Sequence, residues 1–341
     1  YDTWLFGFQH ESEDPSVLGY AHDPVGYSRG EVPKIMAANV TRHVCKFLRG
    51  RPDSDAPSAT RTGDAPWFAS VGFFETHVPF HDAPAAPDGG HALPFLPDTP
   101  AVRRDVSGLD ASVTEVDRCV AEILRELADA GLDENTLVVF TTDHGIPFAR
   151  AKCSLYDPGI QTALVARWPK RFASGRVVSE LLSNVDLMPT LLELAGLEVP
   201  PSVSGTSFAP LLVGGTFVPR DAIHAELSWH SIYNPMRCLR TNRYKVIWNP
   251  EPQPNNVQPR DFWESSASGA ELRPFFASAP DEWELYDLAA DPYERLNRFP
   301  FGPMRELADS LREDLLSWLT ATGDPILDGP IRPHTESEEP K

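Results

Sequence analysis

An α/β fold is what this sequence predicts, and three observations carry that expectation. The runs Trp67–Phe74 and Thr136–Thr141 have the apolar and β-branched content of strands buried on both faces. Between them, Val113, Val116, Val120, Ile123, Leu124 and Leu127 recur at helical spacing until Gly131, so a helix precedes a strand in the rhythm of a wound sheet. Past Leu212 the pattern changes to short strands separated by Pro-rich loops, which predicts a smaller antiparallel sheet. The chain thus divides into an α/β domain over 1–215 and an α+β subdomain over 216–341.

Taken in order, Tyr1–Gly7 is a short apolar strand running toward His10. Its abrupt start reads as the interior of a domain whose front lies outside this sequence. Met36, Val40, Val44, Phe47 and Leu48 share one face of a helix expected from about Val32 to Leu48. Arg49–Pro66, rich in Pro, Asp, Ser and Ala, is expected as an exposed loop, and the Pro- and Gly-rich Pro79–Pro100 as a rim without regular structure. Ser112-Val113-Thr114-Glu115 has a capping-box pattern, which places a helix start there. Strands follow at Thr162–Arg167, Ala222–Leu227 and Tyr244–Trp248, then a closing helix from about Met304 to Leu319 and a polar tail, His334–Lys341.

With 341 residues and 41% hydrophobic content the chain has material for a large core. A formal charge of -19 argues against nucleic acid or an anionic membrane surface as partner. No apolar run is long enough to cross a bilayer. Cys45, Cys119, Cys153 and Cys238 are widely spaced and form no Cys-x-x-Cys pair, so buried free thiols are expected, Cys119 on a helix and Cys238 on a strand.

The chemistry concentrates at Thr141–Arg150 and Lys152, where a strand end carries a carboxylate, an imidazole and a cation. Ligands of α/β folds gather where such strands end. Asp143 offers a hard oxygen donor for a divalent cation, Gly145 permits a sharp turn beside it, and Lys152 offers positive charge to an anion.

This segment, from Asp143-His144-Gly145-Ile146-Pro147-Phe148 to Leu155-Tyr156-Asp157-Pro158-Gly159, resembles the sulfatases, most closely the N-sulfoglucosamine sulfohydrolase branch. Other segments match in order. Gly7-Phe8-Gln9-His10 stands where the family has Gly-Lys-Trp-His, and Phe73–Pro79 where a strand ends in a substrate-facing His. Asn184–Gly196 resembles the helix after the metal segment, and Glu284-Leu285-Tyr286-Asp287-Leu288 with Asp291-Pro292 the closing signature. The resemblance implies an alkaline-phosphatase-like sheet sandwiched by helices, and Asp143, His144, Lys152, His10 and His77 around one cation-plus-anion pocket.

In the implied mechanism a hydrated formylglycine attacks sulfur. Asp143 and His144 hold the metal, which with Lys152 disperses charge on the sulfuryl oxygens. His77 binds the sulfate or protonates the leaving atom, His10 helps to collapse the hydrate, and His230, in Glu226–His230 near the branch's substrate pocket, reads the sugar. His81 and His91 are alternatives to His77. The chain departs from the family at several points. It has no Cys/Ser-x-Pro-x-Arg motif for formylglycine, no upstream Asp pair, and Phe8 in place of a Lys. Cys45-Lys46-Phe47-Leu48-Arg49 keeps the Cys-to-Arg spacing without the Pro and falls on helical periodicity. Calcium is the expected ion; His144 replaces the more usual Asn, which brings in manganese or zinc. The partner implied is a small-molecule or glycan sulfate, and its recognition by so acidic a chain needs local cations, for which Lys152, Arg150, Arg237 and Arg240 are candidates. A phosphonate or phosphate diester hydrolase on the same scaffold and a catalytically decayed binding protein are the alternative functions, and the oligomeric state is open.

Overall fold

The computed structural model describes residues 1–26, 31–50, 65–81, 90–299 and 302–331. The expected loop between Arg49 and Pro66 falls largely outside them, the Pro79–Pro100 rim partly, and the tail from His334 wholly. The chain folds as two compact units that interleave in sequence. One comprises Tyr1–Val139, Val165–Ser174 and Ser265–Ser268, the other Phe140–Leu164, Gly175–Glu264 and Gly269–Lys341.

In the first unit, β1 (Asp2–Gly7) pairs in parallel with β2 (Trp67–Gly72), from Asp2 opposite Trp67 to Gly7 opposite Gly72. Between them in sequence lie α1 (Val32–Ile35) and α2 (Ala37–Leu48), broken at Met36, whose ψ of 140° is extended. The expected single helix is thus two. Trp4 and Phe6 of β1 pack with Val40, Val44, Phe47 and Leu48 of α2 and with Leu127 of α3 (Pro100–Asp129), in a cluster of buried apolar side chains. This is the 3.6-residue periodicity read from Met36 to Leu48, met by a period-two strand.

Helix α3 corrects the capping-box expectation. It begins at Pro100, where Thr99 accepts a hydrogen bond from the Val102 N–H (3.3 Å) and proline occupies the first turn. Ser112 lies in the interior of this 30-residue helix, buried, its hydroxyl donating to the Gly108 carbonyl (3.0 Å). With the earlier cap in place no break is needed at Ser112. The stop at Gly131 holds, with φ of 69°.

β3 (Val138–Thr141) and β4 (Leu164–Arg167) form a two-stranded sheet. The burial on both faces expected of β2 and β3 is not observed: Phe68 is 43% and Phe140 37% exposed. Among the described residues neither strand has a second neighbour, so nothing flanks the pair as a wider parallel sheet would.

The second unit contains α4 (Asp157–Ile160), α5 (Leu187–Leu194), α6 (Ala209–Val213) and a four-stranded antiparallel sheet. Its strands are β5 (Ala222–Trp229), β6 (Tyr233–Thr241), β7 (Tyr244–Trp248) and β8 (Trp283–Asp287), in sequence order. The short helices α7 (Arg260–Ser265) and α8 (Gly269–Leu272) precede β8, and α9 (Arg305–Thr322) follows it. Side-chain alternation gives the sheet two apolar faces. Leu239, Val246 and Leu285 meet Ala308, Leu311, Leu315 and Leu319 of α9. Met236, Cys238, Ile247 and Tyr286 instead pack against Leu155 and Tyr156, which belong to the segment after β3. The sheet is therefore the platform on which that segment rests.

Candidate active site

The chain leaving β3 folds back on itself. Gly145 N–H donates to the Gly159 carbonyl (2.8 Å), Ile146 N–H to Pro158 (3.2 Å) and Lys152 N–H to Ile146 (3.1 Å). Gly145 is required by close approach, since a Cβ there would lie 1.9 Å from the Pro158 carbonyl oxygen. The left-handed residues of the loop are Arg150 (φ 61°) and Cys153 (φ 64°).

Asp143 and His144 sit at the loop's opening. The Asp143 side chain is 84% exposed, and its Oδ1 accepts the His144 N–H at 3.0 Å. His144 Nδ1 lies 2.6 Å from the Gly145 carbonyl, a group that only accepts, so Nδ1 carries the proton in the neutral ring. Nε2 then turns a lone pair toward Asp143 Oδ2, 3.6 Å away. A proton or a bound cation between the two atoms would satisfy this arrangement. The spacing suits two donors on one ion at roughly 2.0–2.4 Å each. The pair therefore fits a divalent metal as part of a coordination sphere. Among the described residues no group of three His, Cys, Asp or Glu side chains completes it.

Lys152 is buried, with 7% of its surface exposed, and its Nζ lies 2.8 Å from Asp261 Oδ2 at the start of α7. The other predicted cations are committed elsewhere. Arg150 donates to the carbonyls of Tyr293 (2.8 Å) and Glu294 and lies 3.9 Å over the Tyr156 ring. Arg240 makes two bonds to Asp157 (3.1 and 3.0 Å), and Arg237 is buried against Asp324. A local basic pocket built from these three arginines is thus not formed.

The loop's far end is clamped by charge. Lys245, fully buried on β7, reaches Asp157 (2.5 Å), Glu294 (2.7 Å) and the Leu155 carbonyl (3.0 Å), while Glu294 also accepts the Asp157 N–H (2.6 Å). Burial alone would raise the Asp157 carboxyl, but Arg240 and Lys245 outweigh it and hold it below the usual range. Nearby, Glu284 accepts from the hydroxyls of Tyr156 (2.9 Å) and Tyr286 and from Asn249 (2.8 Å). Burial raises its pKa despite those donors.

His230 lies in the tight connection between β5 and β6, exposed, its Nδ1 3.0 Å from Ser231 Oγ. Burial pushes the Cys153 thiol up to about 12 and those of Cys45 and Cys238 to about 11, so these are inert packing groups. All four cysteines are free, as expected; Cys45, Cys119 and Cys238 are buried, whereas Cys153 is only half-buried.

In the first unit, His10 and His77 follow the carboxyl ends of the parallel pair β1 and β2. A run of rings links them: His10 to Phe8 (4.5 Å between centroids), Phe8 to Phe74 (5.8 Å) and Phe74 to His77 (5.1 Å). His77 Nδ1 meets the Val78 carbonyl at 2.6 Å. Glu75, buried beside them, accepts the Ala37 N–H at the start of α2 (2.7 Å) and lies 3.4 Å from His81 Nε2. His91 is 3.9 Å from Asp110 on an exposed face.

Asp261, Glu75, Lys245 and Glu294 escaped sequence reasoning. Lys245 alone carried a signal, a lone cation inside the apolar run Tyr244–Trp248; the partner of Lys152 is 109 residues away and carried none.

Two family models match this chain. The sulfatase model matches residues 54–197, and the model for the C-terminal part of N-sulphoglucosamine sulphohydrolase matches 147–255. The chain belongs to the sulfatase family. An ulvan-active sulfatase of Formosa agariphila is 31% identical over 68% of this chain and 41% of its own length. Human N-sulphoglucosamine sulphohydrolase is 31% identical over 69% of this chain and 52% of its own. The sulfatase chain thus spans about half the length of these curated relatives. A solved 2-O GAG sulfatase superposes with a TM-score of 0.67 at 21% identity, over 96% of this chain and 73% of its own. The fold is therefore alkaline-phosphatase-like, as the resemblance implied.

Proposed function

We propose that this chain carries the metal-binding and sulfuryl-binding loop of a hydrolase that releases sulfate from a sulfated sugar. The observation that carries the reading is the Asp143–His144 pair, with Oδ2 and the Nε2 lone pair facing across 3.6 Å on the loop that also bears Lys152. The match of residues 147–255 to the N-sulphoglucosamine sulphohydrolase C-terminal model supports a glucosamine-type substrate.

Asp143 and His144 would hold the cation, calcium by the family resemblance, with manganese or zinc suited by the imidazole. When bound, it supplies Lewis-acid stabilisation of charge on the sulfuryl oxygens. Lys152, fixed by Asp261, adds ammonium hydrogen bonds to the same developing charge. The Gly145 carbonyl keeps His144 in one tautomer and so keeps its donor atom aimed. His77 as sulfate ligand or proton donor, His10 as proton acceptor and His230 as sugar contact are roles proposed from the resemblance. The nucleophile, a formylglycine in that resemblance, has no source motif among these residues.

The test is substrate turnover by the full-length protein. Sulfate release from N-sulfated glucosamine and from an aryl sulfate is expected. Hydrolysis of a phosphonate monoester with neither sulfate substrate turned over would replace the reading with phosphoryl transfer, and no turnover despite a formylglycine detected by mass spectrometry would leave a binding protein.

A further inference from the structure

We infer that Asp261 determines the charge preference of the Lys152 site, making it select singly charged oxyanion esters over dianions. The inference rests on the proposed sulfuryl-binding role of Lys152 and deepens it. Lys152 is buried, and its ammonium meets the Asp261 carboxylate at 2.8 Å. Asp261 is itself built into place: its Oδ1 accepts the Phe262 N–H (3.0 Å), and the fully buried Phe262 ring packs against Phe148 of the loop, 5.4 Å between centroids. The carboxylate is thus held against the loop by the packing of α7.

The charge around the loop is largely matched, with three carboxylates against four cations. Lys152 faces Asp261, Arg240 and Lys245 face Asp157 and Glu294, and Arg150 is turned onto backbone carbonyls and the Tyr156 ring. The Lys152–Asp261 pair offers N–H donors with little net field of its own, so from that pair a second negative charge on a ligand gains no further attraction while its desolvation cost rises. A divalent cation at Asp143 and His144 would add the same attraction with or without Asp261. Sulfate esters and sulfamates carry one charge. A phosphate monoester carries nearly two at neutral pH, its second ionisation lying near pH 6. The pairing of Lys152 with Asp261 therefore shifts the preference toward sulfuryl over phosphoryl monoesters, and loss of Asp261 removes that shift.

The experiment compares kcat/KM for an aryl sulfate and the matching aryl phosphate in the full polypeptide, unaltered and as Asp261→Asn, with Asp287→Asn as control. Asp287 pairs with Arg243, whose side chain is 60% exposed, on the last residue of β8. Asp261→Asn should lower the sulfate-to-phosphate ratio on the order of tenfold, and Asp287→Asn should leave it unchanged. A ratio unmoved in Asp261→Asn, or both rates falling together, overturns the proposal. A second arm needs no turnover: calorimetric binding of inorganic phosphate to the unaltered protein and to Asp261→Asn from pH 5.5 to 7.5. Affinity should rise more steeply in Asp261→Asn as phosphate takes its second charge, and equal slopes overturn the proposal. Absence of sulfate hydrolysis with formylglycine present would defeat the functional reading, and the phosphate arm would still decide the role of Asp261.

Discussion

Gly145 shows how much of this site depends on one missing side chain. The Pro158 carbonyl occupies the space of its Cβ, and two of the loop's closing hydrogen bonds flank it. Gly145→Ala must push the two strands of the loop apart, which overpacking elsewhere suggests costs about 1–3 kcal/mol. Urea titration should show a lower midpoint; an unchanged one would mean the loop is not closed as described. The sequence announced this glycine but for another reason, a sharp turn, whereas the positive φ values fall on Arg150 and Cys153. Asp143, His144 and Lys152 were legible as a group because they follow one strand within ten residues. Asp261 was not, because its pairing with Lys152 is made by tertiary packing.

At the scale of elements, the C-terminal sheet matters as an anchor. Lys245 on β7 lies between Asp157 and Glu294, and removing it leaves two buried carboxylates without their cation. Lys245→Met should cost about 3–5 kcal/mol, read as a fall in the denaturant midpoint; a loss below that range would show the cluster to be solvated. Glu284 gives a pH signature on the same face of the sheet. Its folded pKa is raised by burial, so its contribution is full below the unfolded value of about 4.3 and is lost as pH rises through the folded one. Relative to Glu284→Gln, the unaltered protein should lose stability as pH climbs from about 4.3 and then level off. A pH-independent difference would contradict the shift. The antiparallel sheet, α9 and the first two strands were readable because their periodicity is satisfied inside this chain. The burial of β2 and β3 was misread, because sequence pattern reports the faces a strand could cover rather than the neighbours it has. The capping box at Ser112 failed because the Thr99–Pro100 start came first and α3 runs through it.

For the whole molecule, a chain of charge -19 carries a loop, proposed to bind an oxyanion, whose cations are largely met by carboxylates or carbonyls. On that proposal the oxyanion would be held by oriented donors and a divalent cation rather than by a basic surface patch. Family membership and fold came from motifs in fixed order. The site itself rests on the local geometry of the loop from Asp143 to Lys152. The most direct measurement is metal content together with sulfate release for Asp143→Ala in the full-length protein. Loss of the bound divalent cation and a fall in rate of about a thousandfold or more are predicted; stoichiometric metal with an undiminished rate would contradict the account.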